Sequence, residues 1–243
     1  MELKHIIILG TFALAGCNRE QLDDCVTSAG AMRTEERATG AITEVDLSDR
    51  IDLVIEARDA NTISVEAGAN LIAQVSTEME GGKLTVRNDM RCNWVRSFKP
   101  RITVHVPASA LQHVVLRGTG NITSTDSIRV NYFLLEQWGG EGSCSLLISN
   151  DRTDIALHTA AGDCTVHGAC NTANLYSGIM APLDASGLRA RTVAVNNSGV
   201  SDVRCWAVDH LNVQLRDVGD VYYSGSPSTL ETSVTGSGHL IHE

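Results

Sequence analysis

A cluster of positively charged and aromatic side chains lies between residues 87 and 101. Its members are Arg87, Arg91, Trp94, Arg96, Lys99 and Arg101. Guanidinium and ammonium groups interleaved with aromatic rings can hold an anionic glycan or an anionic envelope surface. The alternative is a structural loop whose rings pack on the fold and whose arginines pair with acidic surface residues. The cluster is therefore a candidate patch for an anionic ligand.

Motifs for catalysis and metal binding are missing from the sequence. It contains no Gly-x-Ser-x-Gly, no phosphate-binding loop ending in Lys-Ser/Thr and no His-Glu-x-x-His. His239 and His242 are three residues apart, which on a strand directs them to opposite faces. His158 and His167 are expected on outer faces or corners of the fold. We therefore predict no catalytic residue, no metal site and no cofactor.

Three aspartates, Asp163, Asp202 and Asp220, follow or lie near glycines of a repeat described below. Clustered carboxylates serve polysaccharide lyases and hydrolases. Aspartate is also a common turn residue, because its carboxylate accepts hydrogen bonds from nearby backbone N–H groups. The structural role is the preferred interpretation.

The first 17 residues have the pattern of a bacterial lipoprotein signal. A short charged segment precedes an apolar run over residues 6–13, and Leu-Ala-Gly-Cys ends at Cys17. The run is too short to cross a bilayer, and the ending resembles the lipobox, whose cysteine is acylated. The alternative is a buried first strand. We predict a signal peptide over residues 1–16, a lipid such as palmitate on Cys17, and a polar tether over residues 17–40.

Six further cysteines would lie in an oxidising compartment if the chain is exported. They are Cys25, Cys92, Cys144, Cys164, Cys170 and Cys205. Six thiols allow many pairings, which sequence alone does not separate. Cys144 and Cys164 hold equivalent places in the repeat, so either a disulfide or a stack of free cysteines is expected there.

The overall composition excludes several classes of protein. The 243 residues carry a net charge of −10, and hydrophobic residues make up 43% of the chain. Lysine occurs only at Lys4, Lys83 and Lys99, so the basic surface needed for nucleic acid is missing. This composition is typical of a folded, acidic protein.

Short strands and a repeat dominate the rest of the chain. Residues 51–56 and 102–106 alternate between apolar and polar, which predicts half-buried strands, and Gly81-Gly82 predicts a hairpin. After residue 117 a glycine-containing phrase returns at intervals near 20 residues, starting at Gly118, Gly142 and Gly162. This period predicts an all-β, right-handed β-helix or β-solenoid over residues 41–243, whose stack the N-terminal strands begin. Glycine would provide positive φ at corners and room for stacking.

Several segments together resemble a known bacterial family. They are Asp24-Cys25, Arg-Cys-Asn-Trp-Val-Arg-Ser-Phe-Lys at 91–99, Gly-Thr-Gly-Asn-Ile-Thr-Ser-Thr-Asp at 118–126, and Gly-Ser-Gly-His-Leu-Ile at 236–241. The family is called putative auto-transporter adhesin, head GIN domain. The resemblance extends from about residue 24 to the C-terminus and implies a β-helical, exported and membrane-tethered protein of the Bacteroidota type. It also implies that Cys25 pairs with Cys92. Cys144 and Cys164 depart from it, since glycine or another small residue is expected there.

These observations favour a non-enzymatic cell-envelope lipoprotein with a binding or adhesion surface, anchored in the outer membrane. The partner would be a cell-surface glycan or an envelope protein. An exported carbohydrate-active enzyme and a self-associating structural component of the envelope are the alternatives. Asp126-Ser127-Ile128 also looks like the short acceptor used for protein O-glycosylation in that bacterial group.

Overall fold

A computed structural model describes residues 28–90 and 101–243. The predicted signal peptide, Cys17, the Cys25–Cys92 pair and four members of the basic cluster lie outside the described residues. Those four members are Arg91, Trp94, Arg96 and Lys99.

The described chain is all-β apart from a short 3-10 turn at Ile72–Gln74. Its strands are β1 (Met32–Ala38), β2 (Glu44–Leu47), β3 (Asp52–Glu56), β4 (Thr62–Gly68), β5 (Val75–Glu80), β6 (Lys83–Asn88), β7 (Thr103–Pro107), β8 (His113–Leu116), β9 (Ile122–Ser124), β10 (Tyr132–Gln137), β11 (Cys144–Leu157), β12 (Cys164–Ile179), β13 (Leu183–Gly199), β14 (Val203–Leu215), β15 (Val221–Ser224), β16 (Thr229–Val234) and β17 (Leu240–His242). Among these residues, no helix is long and apolar enough to span a membrane.

The strands stack as a parallel β-solenoid with two sheets. The first sheet contains β6, β2, β8, β10, residues 152–157, 172–177, 192–197 and 210–215, and β16. The second sheet contains β7, β3, β9, the N-terminal parts of β11 to β14, β15 and β17. The long strands β11 to β14 bend from the second sheet into the first. Each rung is therefore one strand from each sheet.

The predicted period near 20 residues is confirmed by the strand register. Cys144 pairs with Cys164, Cys164 with Leu183, and Leu183 with Val203. The solenoid has about 6 turns, with coils about 20 residues apart. Equivalent side chains of successive rungs therefore form columns that run along the solenoid.

Alternate columns of each sheet point into the space between the sheets and form the core. One such column consists of four buried residues on successive rungs, Leu135, Ile155, Leu175 and Val195. The intervening residues face outward, as the two-residue period of a strand requires. The core is thus a stack of apolar layers that every rung shares with its neighbours.

The glycines of the repeat are needed for their small size. Gly120, Gly142 and Gly162 stack where the chain enters the second sheet, and a Cβ on Gly142 or Gly162 would collide with the carbonyl oxygen of the glycine one rung before. None of the three has a positive φ. The prediction that glycine gives room for stacking is confirmed, and the predicted positive φ occurs at other glycines, among them Gly140 and Gly168.

The N-terminal end of the stack is covered by antiparallel strands. β4 pairs with β7, β1 pairs with β4, and β5 forms the predicted hairpin with β6 at Gly81-Gly82. β2 and β3 lie within the parallel stack, as expected, while β1, β4 and β5 close its end. Residues 32–38 therefore belong to the fold rather than to the predicted tether, because β1 is hydrogen-bonded along β4.

Candidate ligand-binding face

The outer face of the first sheet carries a row of three aromatic side chains on successive rungs. Trp138 stacks on His158 with ring centroids 3.7 Å apart and an interplanar angle of 12°. His158 lies 5.4 Å from the ring of Tyr176 on the next rung. Trp138 is 42% exposed, although aromatic side chains of this size usually lie buried. The row therefore presents ring surface to solvent along the solenoid.

Charged residues near this row are engaged with one another. Lys83 Nζ lies 2.8 Å from Glu44 and 3.0 Å from Asp46. Its hydrogen bonds to Glu44 and then to Asp46 raise the pKa of Lys83 above its ordinary value. On the adjacent rungs, Glu136 contacts His113 at 2.9 Å and His158 at 3.3 Å. Arg117 also lies 3.4 Å from Asp46, so the two cations Lys83 and Arg117 face three carboxylates at this end of the face.

A trough of about 360 Å³ lies on the same face beside the aromatic row. Leu134, Ala156 and Ala194 are its small or apolar outward-facing residues, so the backbone is accessible from solvent there. Polar side chains surround them, namely Arg152, Asp154, Asn174, Tyr176, Asn196, Asn212 and Gln214. The trough is therefore shallow, with an apolar floor and four amide side chains among its polar lining residues.

The amides of the trough keep hydrogen-bonding groups for a ligand. Asn174 donates through Nδ2 to Asp154 at 2.7 Å, and Asn212 donates through Nδ2 to Glu231 at 2.7 Å. Within the described chain, the Oδ1 atoms of these two asparagines accept no hydrogen bond. Each amide can therefore accept one or two hydrogen bonds from hydroxyl groups.

One edge of the trough is fixed by a cluster of three side chains. Tyr132 donates its hydroxyl hydrogen to Asp154 at 3.1 Å, and Arg152 pairs with Asp154 at 2.8 Å. The Arg152 guanidinium also lies 5.4 Å from the centre of the Tyr132 ring. Burial, and then the charge of Asp154, raise the pKa of Tyr132. The phenol therefore stays a hydrogen-bond donor at neutral pH.

The outer face of the second sheet uses its polar groups differently. Asp52 accepts a hydrogen bond from the backbone N–H of Asn121 at 2.8 Å, and Asn121 accepts one from Ser143 at 3.0 Å. Asp202 and Asp220 do the same for the following rungs, at 3.1 and 2.7 Å. Because these carboxylates bind backbone groups, they support the structural interpretation of the predicted acidic ladder.

Aromatic rings of the second sheet are covered by arginines. Arg189 lies 4.6 Å above the centre of the Trp206 ring, and Arg204 lies 4.4 Å above that of Tyr222. Arg204 also pairs with Glu243. These rings therefore offer less open surface to a ligand than the row on the first sheet does.

The two described members of the basic cluster flank residues 91–100. Arg87 is exposed on β6 of the first sheet, and Arg101 is exposed just before β7 of the second. Arg101 also lines a surface cavity of about 350 Å³ beside Asp52 and Glu141. The predicted anionic-ligand patch remains a prediction, because its other members lie outside the described residues.

The cysteines of the repeat differ in their bonding. Cys144 and Cys164 form a disulfide between adjacent rungs, with Cα atoms 4.5 Å apart. This bond resolves the choice between a disulfide and a stack of free thiols. Cys170 and Cys205 are buried free cysteines, and burial raises the pKa of each thiol to about 12.

The histidines face outward or occupy the end of the fold. His158 and His167 lie on outer columns of the first and second sheets, as predicted. His239 contacts Asp220 on the outside, whereas the ring of His242 packs 4.7 Å from that of Tyr223. No group of three or more metal-ligating side chains occurs in the part of the chain that the structure describes. Ser127 of the predicted acceptor is half-buried beside a surface cavity of about 690 Å³.

Sequence reasoning misses both the aromatic row and the trough. Trp138 and His158 are 20 residues apart, which is the period of the repeat, so this spacing is a signal that could have identified them. The trough depends on the exact register of five strands, β10 to β14, and it brings together residues from Leu134 to Gln214. Spacing alone does not give that register, because the steps vary between rungs.

The fold is similar to several solved structures. A protein from Bacteroides fragilis described as a putative adhesin has a TM-score of 0.78 and 21% identity, over 88% of this chain and 97% of that one. A putative lipid binding protein from Parabacteroides distasonis has a TM-score of 0.66 and 20% identity, over 88% and 97%. A putative adhesin from the same species has a TM-score of 0.62 and 16% identity, over 88% and 98%. At these identities the likeness shows the fold alone.

Sequence comparison gives the family. No curated protein matches the chain. A family model described as putative auto-transporter adhesin, head GIN domain, matches residues 41–227, which is most of the chain and agrees with the resemblance carried by the sequence motifs. The chain belongs to the family described as putative auto-transporter adhesin, head GIN domain.

Proposed function

We propose that this protein is a non-enzymatic, lipid-anchored binding protein of the cell envelope. The outer face of the first sheet would contact a macromolecule at the cell surface. The observation that carries the proposal is the exposed aromatic row with the adjoining trough. The amide side chains of Asn174 and Asn212 there hydrogen-bond to other side chains and not to the backbone. The adhesin-type family favours binding to surface molecules.

The proposed anchor is a lipid on Cys17, followed by a tether that ends before β1. Two acyl chains hold a protein to a membrane stably, whereas one chain gives marginal binding. A solenoid on such a tether would present a long, rigid face to an extended partner. The outer membrane remains the proposed location.

The anchor can be tested by metabolic labelling of the full chain with an alkyne-bearing palmitate. We expect labelling of the wild-type chain and of a Cys170→Ala control, and no labelling of Cys17→Ala. A labelled Cys17→Ala chain, or an unlabelled wild type, would contradict the lipid anchor.

The binding role can be tested with the full-length Cys17→Ala chain on immobilised surface polysaccharides and envelope proteins. We expect saturable binding to at least one polymer, with the polymer length unchanged after incubation. Shortening of a polysaccharide would favour the carbohydrate-active alternative, and the absence of saturable binding would contradict the proposal.

A further inference from the structure

We propose that the trough on the first sheet binds an uncharged polysaccharide whose chain runs along the solenoid. This inference rests on the proposed function and names the ligand class of the same face. The occupant is argued from the hydrogen-bonding groups, the charge balance and the shape of the trough.

The hydrogen-bonding groups match a ligand rich in hydroxyls. Three consecutive rungs of the first sheet carry amide side chains in the trough, at Asn174, Asn196, Asn212 and Gln214. Amide side chains both donate and accept, as sugar hydroxyls do. Since rungs repeat at about 4.8 Å, similar groups recur along the solenoid, and a polymer of repeating units can contact several of them at once.

The charge balance favours an uncharged chain over an anionic one. Arg152 is paired with Asp154 at 2.8 Å, and Asn212 donates to Glu231. Near the aromatic row, Glu136 is shared by two histidines. A polymer of uronic acids would have to approach Asp154, Glu231 and Glu136, and these carboxylates would repel it, since Arg152 is already paired with Asp154.

The shape of the trough suits the flat face of a sugar ring. The short side chains of Ala156 and Ala194 form a depression in the surface of the sheet, and Tyr176 lies beside them. Trp138 extends the same face by one exposed ring. Sugar rings present C–H groups on their faces and hydroxyls at their edges, so small apolar residues flanked by amides and aromatic rings complement both.

The experiment is affinity electrophoresis of the full-length Cys17→Ala chain in gels containing yeast mannan, mixed-linkage β-glucan or polygalacturonate. We expect a neutral polysaccharide to retard the chain. Raising the salt from about 0.05 to about 0.5 M should leave the retardation unchanged, because screening weakens only charge-dependent binding.

Ala194→Glu places a carboxylate in the trough and should weaken that retardation at least about tenfold. Ser145→Glu is the matched control, because it adds the same group to an outward column of the second sheet between Thr123 and Thr165. It should bind as the parent does. Circular dichroism and thermal melting of both variants would separate lost binding from lost folding.

Three outcomes would overturn the inference. The first is neutral binding that Ala194→Glu leaves unchanged. The second is retardation by polygalacturonate alone that is lost in the double variant Arg87→Glu, Arg101→Glu. That result would assign the ligand to the basic cluster and would leave the proposed function intact. The third is no retardation by any of the three polymers, in which case the binding assay of the proposed function decides that role separately.

Discussion

The two sheets of the solenoid share one core and one repeat, yet their outer faces use polar side chains in different ways. On the second sheet, Asp52, Asn121 and Asp202 accept hydrogen bonds from backbone N–H groups of the next rung. On the first sheet, Asn174 and Asn212 donate to neighbouring side chains, and their Oδ1 atoms accept no hydrogen bond from the described residues. The polar groups of the second face therefore connect successive rungs by hydrogen bonds, while the first face has hydrogen-bond acceptors available to a partner.

This difference shows how a repeat can separate stability from binding. Inward columns must be apolar on both sheets, because each rung buries its inner face only against its neighbours. Outward columns are free of that requirement. Outward-facing substitutions on the second sheet should therefore alter the free energy of unfolding. Outward-facing substitutions on the first sheet should mainly alter binding.

The largest effect is expected from the disulfide of the second sheet. Replacing Cys144 and Cys164 by alanine should lower the free energy of unfolding by about 3 kcal/mol, since the bond closes a loop of roughly 20 residues in the unfolded chain. Urea denaturation followed by circular dichroism measures this difference. Cys170→Ala with Cys205→Ala removes two buried thiols without a disulfide, and an equal loss in this control would contradict the assignment.

A smaller effect should separate the outer faces directly. Asp52→Ala removes the acceptor for the Asn121 N–H and should lower the free energy of unfolding by about 1 kcal/mol. Asn196→Ala on the first sheet should change it by less than about 0.5 kcal/mol. The comparison fails if urea denaturation gives the two variants equal stabilities or reverses their order.

The two free thiols should report on the shared core. With a pKa of about 12, each thiol is ionised to about one part in ten thousand at pH 8, and each is buried. Peptide mapping after iodoacetamide treatment should find Cys170 and Cys205 unmodified in the native protein and modified in urea. Rapid native labelling of either one would contradict a closed core at that rung.

The smallest effect concerns Lys83 of the first sheet. Its pKa is raised by Glu44 and Asp46, so its contribution to stability is present at neutral pH and is lost as the pH rises through its folded-state pKa. The side chain is 39% exposed, so Lys83→Met should cost only about 0.3–0.5 kcal/mol. Urea midpoints of both proteins should differ at pH 7 and converge as the pH rises through the folded-state pKa of Lys83, which lies above 10.5. A difference that grows with pH would contradict this.

Much of the fold follows from the sequence. The alternation at β3 and β7, the hairpin at Gly81-Gly82 and the 20-residue period all predict local structure correctly, because strands and turns depend on nearby residues. The antiparallel covering of the N-terminal end by β1 and β4 is not predicted. β4 alternates between polar and apolar residues like any strand, whereas the five residues between Met32 and Ala38 in β1 are all polar. Only tertiary pairing sets the direction of the two strands.

The candidate site was less accessible to sequence reasoning. The basic cluster stands out because its residues are close in sequence, whereas Ala156, Asn174 and Asn212 come together only through the register of successive rungs. The buried polar residue Asn197 is another example. It binds the backbone carbonyl of Ser201 at 3.0 Å and fixes the turn into the second sheet, which composition does not reveal.

The C-terminal end differs from the covered N-terminal end. Leu230 and Val234 of β16 occupy inward columns below Leu211 and Leu215, yet they are 46% and 52% exposed, because none of the described residues covers them. Core burial therefore decreases toward the last rung, and the trough lies on the well-buried middle rungs.

The most direct test of the central claim is a residue-resolved map of binding on the full-length Cys17→Ala chain. Backbone amide chemical shifts would be recorded by NMR during titration with yeast mannan or mixed-linkage β-glucan, whichever retards the chain in gels. We predict shifts along the first sheet, at residues 134, 156, 174–176, 194–196 and 212–214, with the second sheet unchanged. Shifts confined to the second sheet, or to residues 87–101, would contradict the assignment of the first sheet as the binding face.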